Sequence, residues 1–144
     1  MVASASGYFQ KDRRGEIKVW NAVTGQEIFA LQSHVSSIMS VAFSVDGKVL
    51  ASAGMNWQLQ QAGEVKLWDM TTGKEIHSIR DAGNVFDVEF SRDGHFLGLA
   101  GADGRVRLYD PESWEPVSVL SGHRGNVFSI SFSPDGTSIA SGGS

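Results

Sequence analysis

One layout is written three times in this chain. "GEIKVWNAVTGQEIFAL" (15–31), "GEVKLWDMTTGKEIHSI" (63–79) and "GRVRLYDPESWEPVSVL" (104–120) each run a strand-like segment into an aromatic–polar pair. Each then turns and starts a second strand-like segment at once. Two further markers recur in register with it. "VAFSVDG" (41–47), "VEFSRDG" (88–94) and "ISFSPDG" (130–136) are strands running into Asp-Gly turns. Small apolar strands follow each of them: "VLASAG" (49–54), "FLGLAG" (96–101) and "SIASGG" (138–143). Self-similarity at a fixed period of roughly forty residues is the mark of a repeat architecture, and it constrains the fold before any single residue does.

No window shows sustained 3.6-residue periodicity with helix caps. The short runs rich in Val, Ile, Phe and Trp, bounded by Gly, Asp and Ser, read as strands joined by hairpins. Gly 17 against Pro 3 agrees with many tight turns. Each unit therefore holds four antiparallel strands, and the expected fold class is all-β. Several strands are apolar on both faces, as expected where a neighbouring sheet covers each side. Such a sheet must stack on copies of itself.

The Gly122-His123 pair, the "SPDG" turn (133–136), the "ASGG" strand (140–143) and the closing Trp68-Asp69 resemble the WD-repeat β-propeller family. The resemblance covers essentially the whole chain. It implies blades of strands a, b, c and d, with an inventory here of b-c-d, a-b-c-d, a-b-c-d and a-b. The expected units are a partial blade at 1–32, blades at 33–80 and 81–121, and a partial blade at 122–144. Two whole blades between two partial ones form an arc and not a closed ring, since rings of this family need at least four blades. The chain is therefore expected to be a fragment of a larger propeller protein, or to close its ring with other copies. Open blade faces would favour self-association.

The family also implies a buried hydrogen-bond chain from a His before strand a to a Ser on strand b, an Asp in the next turn and the Trp indole. His34, Ser52 and Trp68 fill three of these places in one blade. In the next, Leu99 replaces the Ser and Tyr109 the Trp, leaving Asp103 alone. His123 and Ser141 begin the network again. A buried indole N–H needs a partner, so these residues are expected to be structural. By the same resemblance "EIHSI" (75–79) is an outer edge strand, covered on both faces by its neighbours.

Two b–c connections are enlarged, "SGYFQKDRRG" (6–15) and "GMNWQLQQAG" (54–63), and the family's geometry places both on one rim. They offer Tyr8, Phe9, Lys11, Arg13 and Arg14 on one loop, and Met55, Trp57, Gln58, Leu59 and Gln60 on the other. Aromatic, Met and Arg side chains are what interface cores prefer, and loops on a rigid scaffold are where binding resides. The alternative is that Phe9 and Trp57 fold back over the rim. Trp114 stands where the other repeats have a turn Gly, on the opposite rim; it is expected to pack on Pro111 or Pro116, and if exposed it is a second contact candidate.

Catalytic and metal readings fail on spacing. "TGKE" (72–75) lacks the Walker loop's upstream Gly and its Ser or Thr. His34, His77, His95 and His123 fall on different elements without ligand spacing, and no cofactor is expected. Asp87 and Glu89 point the same way on an innermost strand, where a carboxylate pair could bind a cation or raise one pKa for acid–base work; the expected role is a water-lined channel wall or pairing with Arg105 or Arg107. With Cys 0, no signal-peptide pattern and no apolar run near the ~20 residues that span a bilayer, the expected compartment is cytoplasmic. Net charge -4 argues against broad nucleic-acid binding, although "KDRR" (11–14) is locally basic. The expected function is a non-catalytic scaffold that binds other proteins or peptides through its rim loops. The alternative is a sensor module of a multidomain signalling enzyme, a kinase or ATPase.

Overall fold

The structure is a computed structural model that describes residues 1–7, 15–34, 37–56, 63–80 and 82–144, with backbone alone for 33 and 34. Every element among the described residues is a strand or a turn. β1 (Val2–Ser6), β2 (Gly15–Trp20) and β3 (Glu27–His34) form a three-stranded sheet. β4 (Ser37–Phe43), β5 (Val49–Met55), β6 (Glu64–Asp69) and β7 (Glu75–Ile79) form a four-stranded one. So do β8 (Val85–Phe90), β9 (Leu97–Gly101), β10 (Arg105–Tyr109) and β11 (Pro116–Ser121), and β12 (Val127–Phe132) pairs with β13 (Ile139–Gly143). All pairings are antiparallel between consecutive strands.

The sheets converge on their first strands. β4 lies against β8 and β8 against β12, while β3, β7 and β11 touch the neighbouring sheets far less. This is the wedge of a β-propeller: two complete blades between two partial ones, an arc that does not close on itself. The outer strand β7 is not covered on both faces as the sequence suggests. Glu75, Ile76 and His77 are exposed and only Ile79 is fully buried, because the wedges have spread apart at that radius.

Three apolar layers fill the spaces between the sheets. Ile17, Val19 and Leu31 of the first sheet meet Leu50, Trp68 and Met70 of the second. Ala51, Ala53, Val65 and Leu67, on the other face of that second sheet, meet Val88, Phe90, Leu97, Leu99 and Tyr109 of the third. Ala100 and Val106 meet Val127 and Ile130. Each buried Val, Leu or Ile contributes about 1.5–3 kcal/mol relative to exposure. One uncovered face therefore forfeits about as much as the 5–15 kcal/mol that holds a typical domain folded, roughly speaking. That is why the sheets occur stacked.

Turn chemistry explains the repeated punctuation. In each Ser-x-Asp-Gly turn the Ser hydroxyl donates to the Asp carboxylate: Ser44 to Asp46 at 2.8 Å, Ser91 to Asp93 at 2.5 Å and Ser133 to Asp135 at 2.6 Å. The same carboxylates accept the amides of Lys48, His95 and Thr137. The residue after the c-strand aromatic does similar work. Asp69 Oδ1 accepts the amides of Thr71 at 2.6 Å and Thr72 at 3.3 Å, and Asn21 and Asp110 do the same. Gly73 then takes φ 68°, a left-handed position. Trp114 occupies its counterpart at φ 60°, the one positive-φ non-glycine among the described residues.

Candidate functional site

The enlarged connections spring from one rim. Gly7, at the root of the first, packs directly on Ser37 at the start of β4. At the second, the Asn56 amide donates to Asn84 Oδ1 at 3.0 Å, and Asn84 Nδ2 donates back to the Asn56 carbonyl at 3.4 Å. Gly63, at the far root, also packs on Asn84. Each root is thus held against the beginning of the next sheet's innermost strand. Tyr8, Phe9, Lys11, Arg13 and Arg14, and Trp57, Gln58, Leu59 and Gln60, lie outside the described residues. Met55 is described: it ends β5 opposite Ser37 at 2% exposure, so it closes the interior and offers no surface.

The polar ladder is distributed over the blades. Trp68 Nε1 donates to Ser52 Oγ at 2.8 Å, both side chains being buried. Trp20 and Ser4 repeat this at 3.1 Å in the first sheet, on a face with no sheet against it among the described residues, and their bond is exposed. The identical spacing of Ser4–Trp20 and Ser52–Trp68 in sequence is the signal that points to it. His123 Nε2 and Ser141 Oγ lie 2.8 Å apart. The His34 backbone ends β3, and its ring lies outside the described residues. In the third sheet Leu99 and Tyr109 are buried in the apolar layer against the second sheet. Replacing both polar partners by apolar ones costs little, whereas removing one costs a desolvated group.

Asp103 makes a two-pronged contact with Arg107, at 3.0 and 2.6 Å. Register explains this choice. Lys18 and Lys66 reach across to Glu27 at 2.9 Å and Glu75 at 2.7 Å, acids that lie opposite Trp20 and Trp68. Opposite Tyr109 stands Pro116, which carries no acid, so Arg107 turns to Asp103. The guanidinium holds the Asp103 carboxyl below the usual carboxylate range. Lys66 is 5% exposed, and Glu64 lies 3.7 Å from its Nζ beside Glu75.

Asp87 and Glu89 have a use that the sequence does not reveal. β12 has β13 on one side only, and on the other its Ile130 amide donates to Asp87 Oδ2 at 3.0 Å and its Phe132 amide to Glu89 Oε2 at 3.1 Å. Asp87 Oδ1 also accepts the Ser40 hydroxyl at 2.7 Å and the Val88 amide at 3.0 Å. One carboxylate therefore ties β4, β8 and β12 together. Arg105 and Arg107 pair with Asp103 instead. Trp114 stacks on His77 of the preceding sheet, with ring centroids 6.4 Å apart.

His123 and Ser141 have the separation of a base and a nucleophile, in an open pocket lined also by Val106, Leu120, Ser121 and Gly122. Among the described residues no carboxylate hydrogen-bonds the His123 ring to orient it, as a triad requires. No group of three metal-ligating side chains occurs among the described residues.

A family model described as "WD domain, G-beta repeat" matches residues 25–69, 73–110 and 114–144. WD repeat-containing protein 1 of Bos taurus is 40% identical over 68 residues, 44% of this chain and 11% of that protein. Actin-interacting protein 1 of Drosophila melanogaster is 41% identical over 54 residues, 36% of this chain and 9% of that protein. The guanine nucleotide-binding protein subunit beta of Schizosaccharomyces pombe is 27% identical over 121 residues, 84% of this chain and 38% of that protein. The chain thus spans about a tenth of the length of the WD repeat-containing protein 1 relatives it matches. Stacked four-stranded wedges, the Ser–Trp ladder and three successive matches to the repeat agree, and the chain belongs to the WD-repeat family.

Proposed function

We propose that this chain is a non-catalytic scaffold that docks other proteins on the rim from which loops 8–14 and 57–62 emerge. The observation that carries the reading is the anchoring of both loop roots on neighbouring inner strands, Gly7 on Ser37 and Asn56 with Gly63 on Asn84. Anchored roots fix the places from which residues 8–14 and 57–62 leave the scaffold, and connections on a rigid scaffold are where binding resides. WD-repeat proteins generally bind other proteins, and one relative is named for interacting with actin. Filamentous actin is accordingly the first partner to try.

The test is cosedimentation of the full-length protein with filamentous actin, wild type against Trp57→Ala combined with Arg13→Ala and Arg14→Ala. The reading expects the variant to lose binding by about tenfold or more, the scale of a lost interface anchor. Binding that survives the triple substitution unchanged removes the loops from the site.

A further inference from the structure

The innermost strands share an irregularity at one position. Pairing of β4 with β5 shifts register between Ile38 and Ser40. β8 shifts against β9 between Val85 and Asp87, and β12 against β13 between Val127 and Ser129. The residues left over are Met39, Phe86 and Phe128. A β-bulge sets two residues opposite one and re-aims a side chain, and bulges concentrate beside binding sites. Here the same bulge falls in three successive strands, each time under a large apolar residue.

These side chains are not spent on the core. Ile38, Val85 and Val127, just before them, are buried in the layers between the sheets. Met39 is 40% and Phe128 49% exposed, and Phe86 is half-buried. The Phe86 and Phe128 rings meet edge to face at 4.8 Å, so the surface runs on from one blade to the next. It belongs to the rim described above, since Met39 follows Ser37 and Phe86 follows Asn84 by two residues, and those are the residues on which the loop roots rest.

Charge beside the row says what suits it. Asp87 directly follows Phe86, and Glu89 lies two residues further along the strand. Both carboxylates are half-buried and accept hydrogen bonds only from neutral amides and a hydroxyl. Among the described residues neither has an ion-pair partner. Two uncompensated negative charges at an exposed apolar strip favour a cationic neighbour and repel an acidic one.

We propose that the row Met39–Phe86–Phe128 is a docking site for a short protein segment presenting an aromatic or aliphatic side chain next to a lysine or arginine. The apolar group packs across the Phe86 and Phe128 rings, and the cation faces Asp87 and Glu89. This deepens the rim-docking reading and rests on it for the rim's accessibility, but the residues that it names are different.

The test uses two fluorescein-labelled peptides titrated into the full-length protein by anisotropy, one centred on Lys-Leu-Phe-Arg and one on Glu-Leu-Phe-Glu. The proposal expects saturable binding of the basic peptide, weakened about tenfold or more by Phe86→Ser with Phe128→Ser. It expects the acidic peptide to bind at least about tenfold more weakly. Phe128→Leu keeps the apolar surface and should bind within about threefold of wild type. If the double variant does not fold, the Met39 methyl resonance of the wild-type protein carries the decision: it must move as the basic peptide saturates. No saturable binding, equal binding of both peptides or an unmoved Met39 methyl overturns the proposal. The Trp57, Arg13 and Arg14 triple variant separates the two readings. If it abolishes peptide binding while Phe86→Ser with Phe128→Ser does not, the row fails and the loops stand. If it keeps both the peptide and actin, the loops fail and the row stands.

Discussion

Replacing Asp87 by alanine should loosen the arc at one place. The substitution removes the acceptor of the Ser40 hydroxyl, the Val88 amide and the Ile130 amide, at 2.7, 3.0 and 3.0 Å. Hydrogen bonds to charged groups are worth about 1.5–3 kcal/mol net when well buried. Asp87 is half-buried, and its three bonds are not additive, so about 2–4 kcal/mol is expected for the whole substitution. For a chain of this size that lowers Tm by about 6–15 °C. Asp87→Asn keeps one carbonyl oxygen and should lose roughly half as much. Denaturant unfolding gives the energy, and hydrogen exchange locates it. In Asp87→Ala the Ile130 amide should lose protection while the Phe132 amide, held by Glu89 at 3.1 Å, keeps most of its own. Glu89→Ala should reverse that pattern. A loss under about 0.5 kcal/mol with both amides unchanged would refute the idea that these carboxylates tie the inner strands together.

Three further outcomes follow from the same geometry. Ser52→Ala takes away the acceptor of the buried Trp68 indole and should cost about 1–3 kcal/mol by denaturant unfolding, whereas Ser4→Ala, acting on the exposed Trp20 bond, should fall within about 0.5 kcal/mol of wild type. At position 114, Gly accepts the left-handed φ of 60° that Ala resists, so Trp114→Gly should melt above Trp114→Ala despite glycine's greater chain entropy; the opposite order would show that the turn is not left-handed. The Asp46 carboxyl is lowered chiefly by the Lys48 amide, Asp93 by the Ser91 hydroxyl and Asp135 by the Ser133 hydroxyl. Stability from these turns is fully present above the ordinary aspartate value of about 3.9 and is lost as pH falls through the lowered values. Acid titration of Asp46→Asn, Asp93→Asn and Asp135→Asn combined should therefore show a flatter loss below about pH 4 than wild type.

The parts of the fold legible in the sequence are those where a local rule leaves its own residue type behind. Ser-x-Asp-Gly at 44–47, 91–94 and 133–136 is a turn because hydroxyl, carboxylate and left-handed glycine fit together there. Trp68 followed by Asp69 is legible because the carboxylate caps the turn that the strand enters. What the sequence hides depends on the neighbouring sheet. Asp87 and Glu89 look like a channel wall until β12 brings its amides to them. Met55 looks like a loop contact until Ser37 is seen across from it. Asp103 looks like the remnant of a network until Pro116 leaves Arg107 without a cross-strand acid. Bulges at Met39, Phe86 and Phe128 leave no mark at all, because a register shift belongs to a pair of strands and not to either one.

The most direct check on the stacked wedges is a set of proton–proton contacts in solution. Gly98 lies so close to β12 that a Cβ there would stand 3.1 Å from the Phe132 ring and 2.9 Å from Ile130 Cδ1. Nuclear Overhauser effects should link the Gly98 α-protons to the Phe132 ring, and the Trp68 indole to methyl groups of Ile17 or Val19 in the layer they share. Observing both places successive sheets side by side around an inner row of strands. Their absence, with Phe132 and Trp68 instead contacting each other across a single sandwich core, would contradict the architecture on which the docking rim is built.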